Sequence, residues 1–290
     1  MIDYLKRNQL DEIKYNNCIK KACNSRIYAY SWYLDIVSDN WDTLVLNDYE
    51  AVMPLPWRSK YFIKYIYPPA WTQQLGVFSN HEINADLVQQ FVNSIPIKFK
   101  KITIQFNSEN DVSLLKTNDK VNYILPLNSS YEEIYKGFNK NRKRDLQKLK
   151  IKNLTIKVIS LDSLIEIATK NYSFLSYTNK EYLKLKSLAN FSLEKDKAML
   201  LGVYNLSEKL IGGALFIKDD GRLTYLFSVM DEEGFKNKVP TYLISSIIEK
   251  FSKSNYILDF EGSMDFGISR FFKSFGAKSE TYYSLQIYGI

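Results

Sequence analysis

Between Lys136 and Lys152 the chain sets eight cations (Lys136, Lys140, Arg142, Lys143, Arg144, Lys148, Lys150 and Lys152) against one carboxylate, Asp145. That local excess equals the formal net charge of +7, so the remainder of the chain is balanced. A patch so confined suits a localised anion, such as nucleotide phosphates, a pyrophosphate carrier or tRNA. Arg142 and Arg144 are the stronger phosphate candidates, because a guanidinium fork can hold two oxygens at once; Lys140 stands beside them. The same residues also read as a solvated helix face.

A second constellation is acidic. Asp259 and Glu261 alternate around Phe260 in a short apolar run, so as a strand they face one side together. Either carboxylate could accept a proton if burial raised its pKa. Equally, either could cap the next helix or pair with Arg270. Gly262 and Ser263 read as a loop that turns the chain closely into that helix. In the first half, Met53-Pro54-Leu55-Pro56-Trp57-Arg58 with Tyr65, Tyr67, Trp71 and Gln73 forms a candidate substrate rim, or else a strand end whose aromatics are core.

The single histidine excludes other chemistry. His81 lies in the polar run Ser79-Asn80-His81-Glu82, a surface loop by composition, whereas Ser-His-Asp or Cys-His catalysis needs it in a pocket. Zinc would need more ligands than Cys18 and Cys23 supply, so no metal site is expected. The two cysteines sit five apart in a predicted helix, and free thiols in a reducing compartment are expected. Charges recur through Met1–Lys14, against a secretory signal, and no run approaches the ~20 apolar residues of a membrane span. A cytoplasmic protein is the expectation.

These residues need elements to hold them. A chain of 290 residues, 46% apolar and 24% charged, suits two globular domains. The first half reads as helices over 13–22 and 30–37, a hairpin over 43–55, a strand at 62–67, a helix at 87–92, and strands at 101–106 and 123–127. The second half begins with a helix over 131–150, opened by a Ser130/Glu133 capping box and buried through Tyr131, Ile134, Tyr135, Phe138, Leu146 and Leu149. Helices at 161–172 and 180–190 follow, then strands at 200–204 and 210–217, a hairpin signal at Asp219-Asp220-Gly221, and a strand at 223–229. A helix at 241–251, a strand at 256–260, a helix at 266–275 stopped by Gly276, and a last strand at 281–288 complete it. The hairpins 44–55 and 201–217 correspond in order, which suggests a duplicated α/β unit: residues 1–128 and 129–290.

The run from the hairpin through Leu258-Asp259-Phe260-Glu261-Gly262-Ser263 to Arg270-Phe271-Phe272-Lys273-Ser274-Phe275-Gly276 resembles the GNAT superfamily. More narrowly it is similar to the FemAB branch, tandem-GNAT peptidyltransferases that add amino acids to peptidoglycan precursors. Lys136-Gly137-Phe138-Asn139-Lys140-Asn141-Arg142 resembles that branch's basic helix, and Gln73-Gln74-Leu75-Gly76 extends the likeness in outline.

The resemblance implies an α/β fold of two GNAT-like units, each a mixed, largely antiparallel sheet flanked by helices. It implies an acyl- or aminoacyl-transferase forming an amide on an amine acceptor, with the donor, aminoacyl-tRNA or acyl-CoA or acyl-carrier protein, a cosubstrate rather than a bound cofactor. Phe272 and Lys273 then lie by the reacting carbonyl, where the ammonium stabilises an oxyanion; one such donor is worth about 10²–10³ in rate. By composition alone, Phe272 is core and Lys273 snorkels to solvent. The substrate-side set is Arg142, Arg144, Lys140, Trp57, Arg58, Tyr67, Gln73, Gly262, Ser263 and Arg270. Where acetyltransferases carry a glycine-rich pyrophosphate loop, this chain reads Met230-Asp231-Glu232-Glu233-Gly234-Phe235-Lys236-Asn237-Lys238-Val239-Pro240. Three consecutive acids oppose a pyrophosphate there, while Lys236 and Lys238 are compatible with one. The alternatives are an N-acyltransferase using acyl-CoA or acyl-carrier protein, and a non-catalytic GNAT-like protein binding nucleic acid or a phosphorylated ligand.

Overall fold

The computed structural model describes residues 1–172, 177–262 and 264–289. Two compact units divide them: residues 1–120 with 281–290, and residues 121–280. The join expected between Leu127 and Ser130 therefore falls earlier, and the last strand returns to the first unit. The reason is pairing: residues 283–288 hydrogen-bond antiparallel to 101–106, and a strand belongs where its ladder is.

In the first unit the chain runs β1 (Ile2–Lys6), α1 (Glu12–Lys21), α2 (Ser31–Val37), β2 (Asn40–Leu46), β3 (Ala51–Lys60), β4 (Ile63–Ile66), β5 (Phe78–Ser79), α3 (Ala85–Asn93) and β6 (Phe99–Phe106). β2 and β3 form the expected hairpin, with Leu46 opposite Ala51. β4 and β6 pair parallel, which makes the sheet mixed. Phe91, Phe99, Phe106 and Met53 fill its core. β1 escaped the sequence reading because it is a short edge strand whose residues are half exposed.

β7 (Thr117–Pro126) leads into the second unit, followed by α4 (Tyr131–Lys136), α5 (Lys140–Leu149), β8 (Thr155–Val158), α6 (Leu161–Asn171), α7 (Asn179–Glu194), β9 (Ala198–Tyr204), β10 (Leu210–Asp219) and β11 (Arg222–Met230). Then come α8 (Glu232–Lys236), α9 (Val239–Phe251), β12 (Ile257–Asp259), α10 (Phe266–Lys273) and β13 (Lys278–Tyr288). The strand order within this unit is β7-β12-β11-β10-β9-β8. β11 and β12 pair parallel over Arg222–Thr224 and Ile257–Asp259, and the other pairs here are antiparallel. Beyond that short contact β11 continues to Met230 while β12 stops, so the two chains part toward α9 and α10. Each unit is thus a mixed, mostly antiparallel sheet with helices.

The helix expected over 131–150 is two helices. The capping box of the first is present, with Ser130 and Glu133 bonding each other's backbone amides. Regular helix ends at Gly137, and Phe138 packs in the core against Phe275, ring centroids 5.2 Å apart. Asn139 then caps α5 by accepting from the Arg142 amide at 3.0 Å. Phe138 still packs with the stripe, its ring centre 5.3 Å from that of Tyr135, and the break falls at Asn139, whose extended backbone and side-chain cap begin a new helix.

Candidate active site

At the N-terminus of α9, a cavity of about 300 Å³ is lined by Arg142, Phe235, Lys238, Thr241, Ile268 and Phe271, among others. It forms because β11 ends at Met230 and α8 and α9 fold back beside α10. Lys238 is the N-cap of α9 in the left-handed conformation (φ +58°) and supplies no side-chain cap. A helix start leaves backbone donors and a partial positive charge, a ready anion site.

Arg142 reaches this cavity from α5. Its Nη1 donates to Thr241 Oγ1, and its Nη2 lies 2.9 Å from Asp145 Oδ2. The guanidinium carbon sits 5.0 Å from the centre of the Phe271 ring. Nε is buried and has no hydrogen-bond partner. Burial pushes the guanidinium below its ordinary pKa, with Asp145 opposing. Arg142 therefore fastens α5 to α9 and α10 while its guanidinium borders the cavity.

The acids that sequence reading set against a pyrophosphate are already engaged. Asp231 caps α8, accepting from the Gly234 amide at 2.8 Å. Lys209 lies 2.7 Å from Asp231 and 3.1 Å from Glu233. Asn205 donates to Glu233 at 2.6 Å. Glu232 is exposed, and the members of this junction that line the cavity are Phe235, Lys238 and Pro240. Lys209 offsets one of the three charges, and none of the three acids lines the cavity.

The turn into α10 is built on Asp259, which is fully buried. Its Oδ2 lies 2.5 Å from Arg222 Nη1, and its Oδ1 accepts from Asn122 (3.0 Å) and from the Glu261 amide (2.8 Å). Arg222 also holds Glu280 at 3.0 Å. Burial alone would lower the Arg222 pKa, but Asp259 and Glu280 outweigh it and hold the guanidinium above its ordinary value. Arg222 is thus the partner of Asp259, and Arg270 is exposed on α10.

β12 ends at Asp259, so Glu261 does not continue the expected alternation. Glu261 and Gly262 instead take positive φ, +56° and +54°. A Cβ on Gly262 would stand 2.2 Å from Val121 O, so the close approach requires glycine. Ser263 lies outside the described residues.

Phe272 is core, its ring stacked on Phe260 with centroids 4.7 Å apart. Lys273 is exposed, its ammonium 5.5 Å from the centre of the Tyr123 ring. Helical geometry turns Lys273 about 200° from Phe271, away from the face that lines the cavity. Arg142 and Lys273 are therefore on different sides of α10.

Arg144 and Lys140 are exposed, with Arg144 bonded to Asn141 at 3.2 Å. Two residues apart on a helix, Arg142 and Arg144 diverge rather than clamp one phosphate. In the first unit, Arg58 stacks over Tyr67 at 3.7 Å and lies 3.2 Å from Asp39. Trp57 packs on Phe99, and Gln73 lines a narrow cleft with Tyr67. His81 is exposed. Lys238 and Thr241 were in view as junction and helix residues, but nothing local marked them as neighbours of Arg142.

No family model matches the chain, and no curated protein matches it in sequence. Solved structures do match in fold. FemX superposes with a TM-score of 0.72 at 10% identity, covering 97% of this chain and 96% of FemX. L-PGS from Bacillus licheniformis gives 0.58 at 10% identity over 96% of this chain and 92% of that one. The C-terminal domain of a putative lysylphosphatidylglycerol synthetase from Agrobacterium fabrum gives 0.53 at 11% identity, covering 94% and 90%.

Proposed function

With the FemX-like tandem-GNAT fold as premise, we propose that this chain is an acyl- or aminoacyl-transferase that takes its acyl group from a phosphate-bearing carrier. The observation that carries the reading is the cavity at the start of α9, lined by a helix N-terminus, Arg142 and Lys238 together. The carrier's phosphate would lie there, and the acyl end would run past α10. Aminoacyl-tRNA and acyl-CoA or acyl-carrier protein share this chemistry. The fold likeness to FemX and L-PGS favours the aminoacyl donor. An amine acceptor, including a peptidoglycan precursor, fits amide formation. Lys273 remains the candidate oxyanion donor, and Phe272 and Glu261 remain candidates with it; Asp259 acts by shaping the turn.

Thermal unfolding with acyl-CoAs and with charged tRNA tests the donor. A ligand at a hundred times its Kd stabilises by about 2.7 kcal/mol. Lys238→Glu should remove that stabilisation without lowering the melting point of the free chain. In a transfer assay Lys273→Ala should cut turnover by about 10²–10³ with Tm unchanged; unaltered turnover would end the oxyanion assignment.

A second reading has its own support. Lys273 is exposed away from the cavity and Asp259's oxygens are committed to Arg222, Asn122 and the Glu261 amide. Under it the chain holds a phosphorylated ligand without transferring anything. Ligand stabilisation that depends on Lys238, with no transfer by the wild type to any amine acceptor, would favour this reading.

A further inference from the structure

The β3–β4 hairpin of the first unit ends in Tyr61-Phe62, the two residues between Lys60 and its partner Ile63. Both have positive φ, +50° and +65°, the backbone of a type I′ turn. Asn-Gly is the sequence this turn favours, and bulky side chains there are strained. The two rings recover nothing by packing: Tyr61 is 83% exposed, Phe62 104% and the following Ile63 52%. A strained turn that displays aromatics is the arrangement expected of a contact made outside the chain.

The neighbouring strands enlarge the patch. Lys64 pairs with Phe99 in the parallel β4–β6 ladder, and Ile97, 74% exposed, stands in the turn that leads into β6 two residues earlier. β13 ends at the same edge, with Tyr288 opposite Lys101, 62% exposed, and the Lys101 ammonium 4.9 Å from the centre of its ring. Lys60 lies 5.4 Å from the centre of the Tyr61 ring and Lys100 and Lys101 are exposed on β6, while the Lys64 ammonium lies 4.6 Å from the centre of the Trp57 ring and Lys98 donates to Tyr4 at 2.7 Å. Neither 59–67 nor 94–106 contains an acid. On adjacent β2, Asp42 stands back at the level of Leu55 and accepts from Tyr4 and the Arg7 amide; Asp39, just before the strand, pairs with Arg58.

We propose that this end of the first unit docks on the surface of an anionic phospholipid bilayer, with Tyr61, Phe62 and Ile63 entering the headgroup region. Aromatic rings favour that interface, and lysines around an apolar tip can keep their stems in it while their ammonium groups meet lipid phosphates. An apolar tip flanked by Lys60 and by the exposed lysines of β6 matches such a surface in both polarity and charge.

The test is co-sedimentation of the full chain with phosphatidylcholine vesicles, with and without phosphatidylglycerol. The wild type should pellet with the anionic vesicles at low salt, and high salt should release much of it. Tyr61→Asn/Phe62→Gly installs the favoured turn, so its Tm should be equal or higher while its vesicle affinity falls about tenfold or more. Lys60→Gln/Lys64→Gln should weaken binding to the phosphatidylglycerol vesicles only. The proposal is overturned if wild type stays in the supernatant with anionic vesicles, or if Tyr61→Asn/Phe62→Gly pellets as wild type does. Equal pelleting without vesicles would assign the tip to self-association and likewise overturn it.

Discussion

Arg222→Met is the most informative perturbation of the second unit. Arg222 ties together Asp259, which is fully buried, and Glu280, whose side chain is 10% exposed. Methionine fills similar volume but leaves both carboxylates without their cation. Breaking a buried pair by removing one partner typically costs about 3–5 kcal/mol. Asn122 still donates to both acids, and the Glu261 amide to Asp259, so the lower end of that range is expected. For a unit of this size each kcal/mol lowers Tm by about 2–4 °C, giving roughly 6–12 °C for a loss near 3 kcal/mol. Calorimetric or circular-dichroism melts at neutral and mildly acidic pH measure it. A guanidinium held above its ordinary value contributes fully below that value, hence across the usual pH range, and loses its contribution only above it. Arg222→Met/Asp259→Asn should recover about 1 kcal/mol or more of the loss. A loss below about 1 kcal/mol at neutral pH would refute the structural role given to this network.

Gly262→Ala places a Cβ 2.2 Å from Val121 O at φ +54°, so a loss of about 1–3 kcal/mol is expected, read from the same melts. The two cysteines should separate under a thiol reagent at about pH 8. Burial pushes the Cys18 thiol up to about 11, whereas Cys23 is exposed, so one equivalent should react at once and the second only on unfolding.

What the sequence determined is local. The capping box at Ser130/Glu133, the hairpin turn before Arg222 and the stripe of α9 are set within a few residues, and they appear where periodicity placed them. The resemblance around Asp259–Gly276 likewise led to the fold shared with FemX. Even the break at Gly137-Phe138-Asn139 had its breaker and cap residues in view, and Asn139 caps α5 with its own side chain while Phe138 stays packed on Tyr135.

Tertiary structure decided the rest because the deciding contacts join residues far apart in sequence. Asp259 could have been a base, a helix cap or the partner of Arg270; Asn122, 137 positions away, and Arg222, 37 away, commit it to the turn. Arg142 and Arg144 were equal candidates by type, and only Thr241, 99 positions on, draws Arg142 into a cavity while helix geometry sends Arg144 to solvent. A charge in a sequence has a sign but no neighbours, and it is neighbours that settle whether it binds a ligand, steadies a turn or meets water.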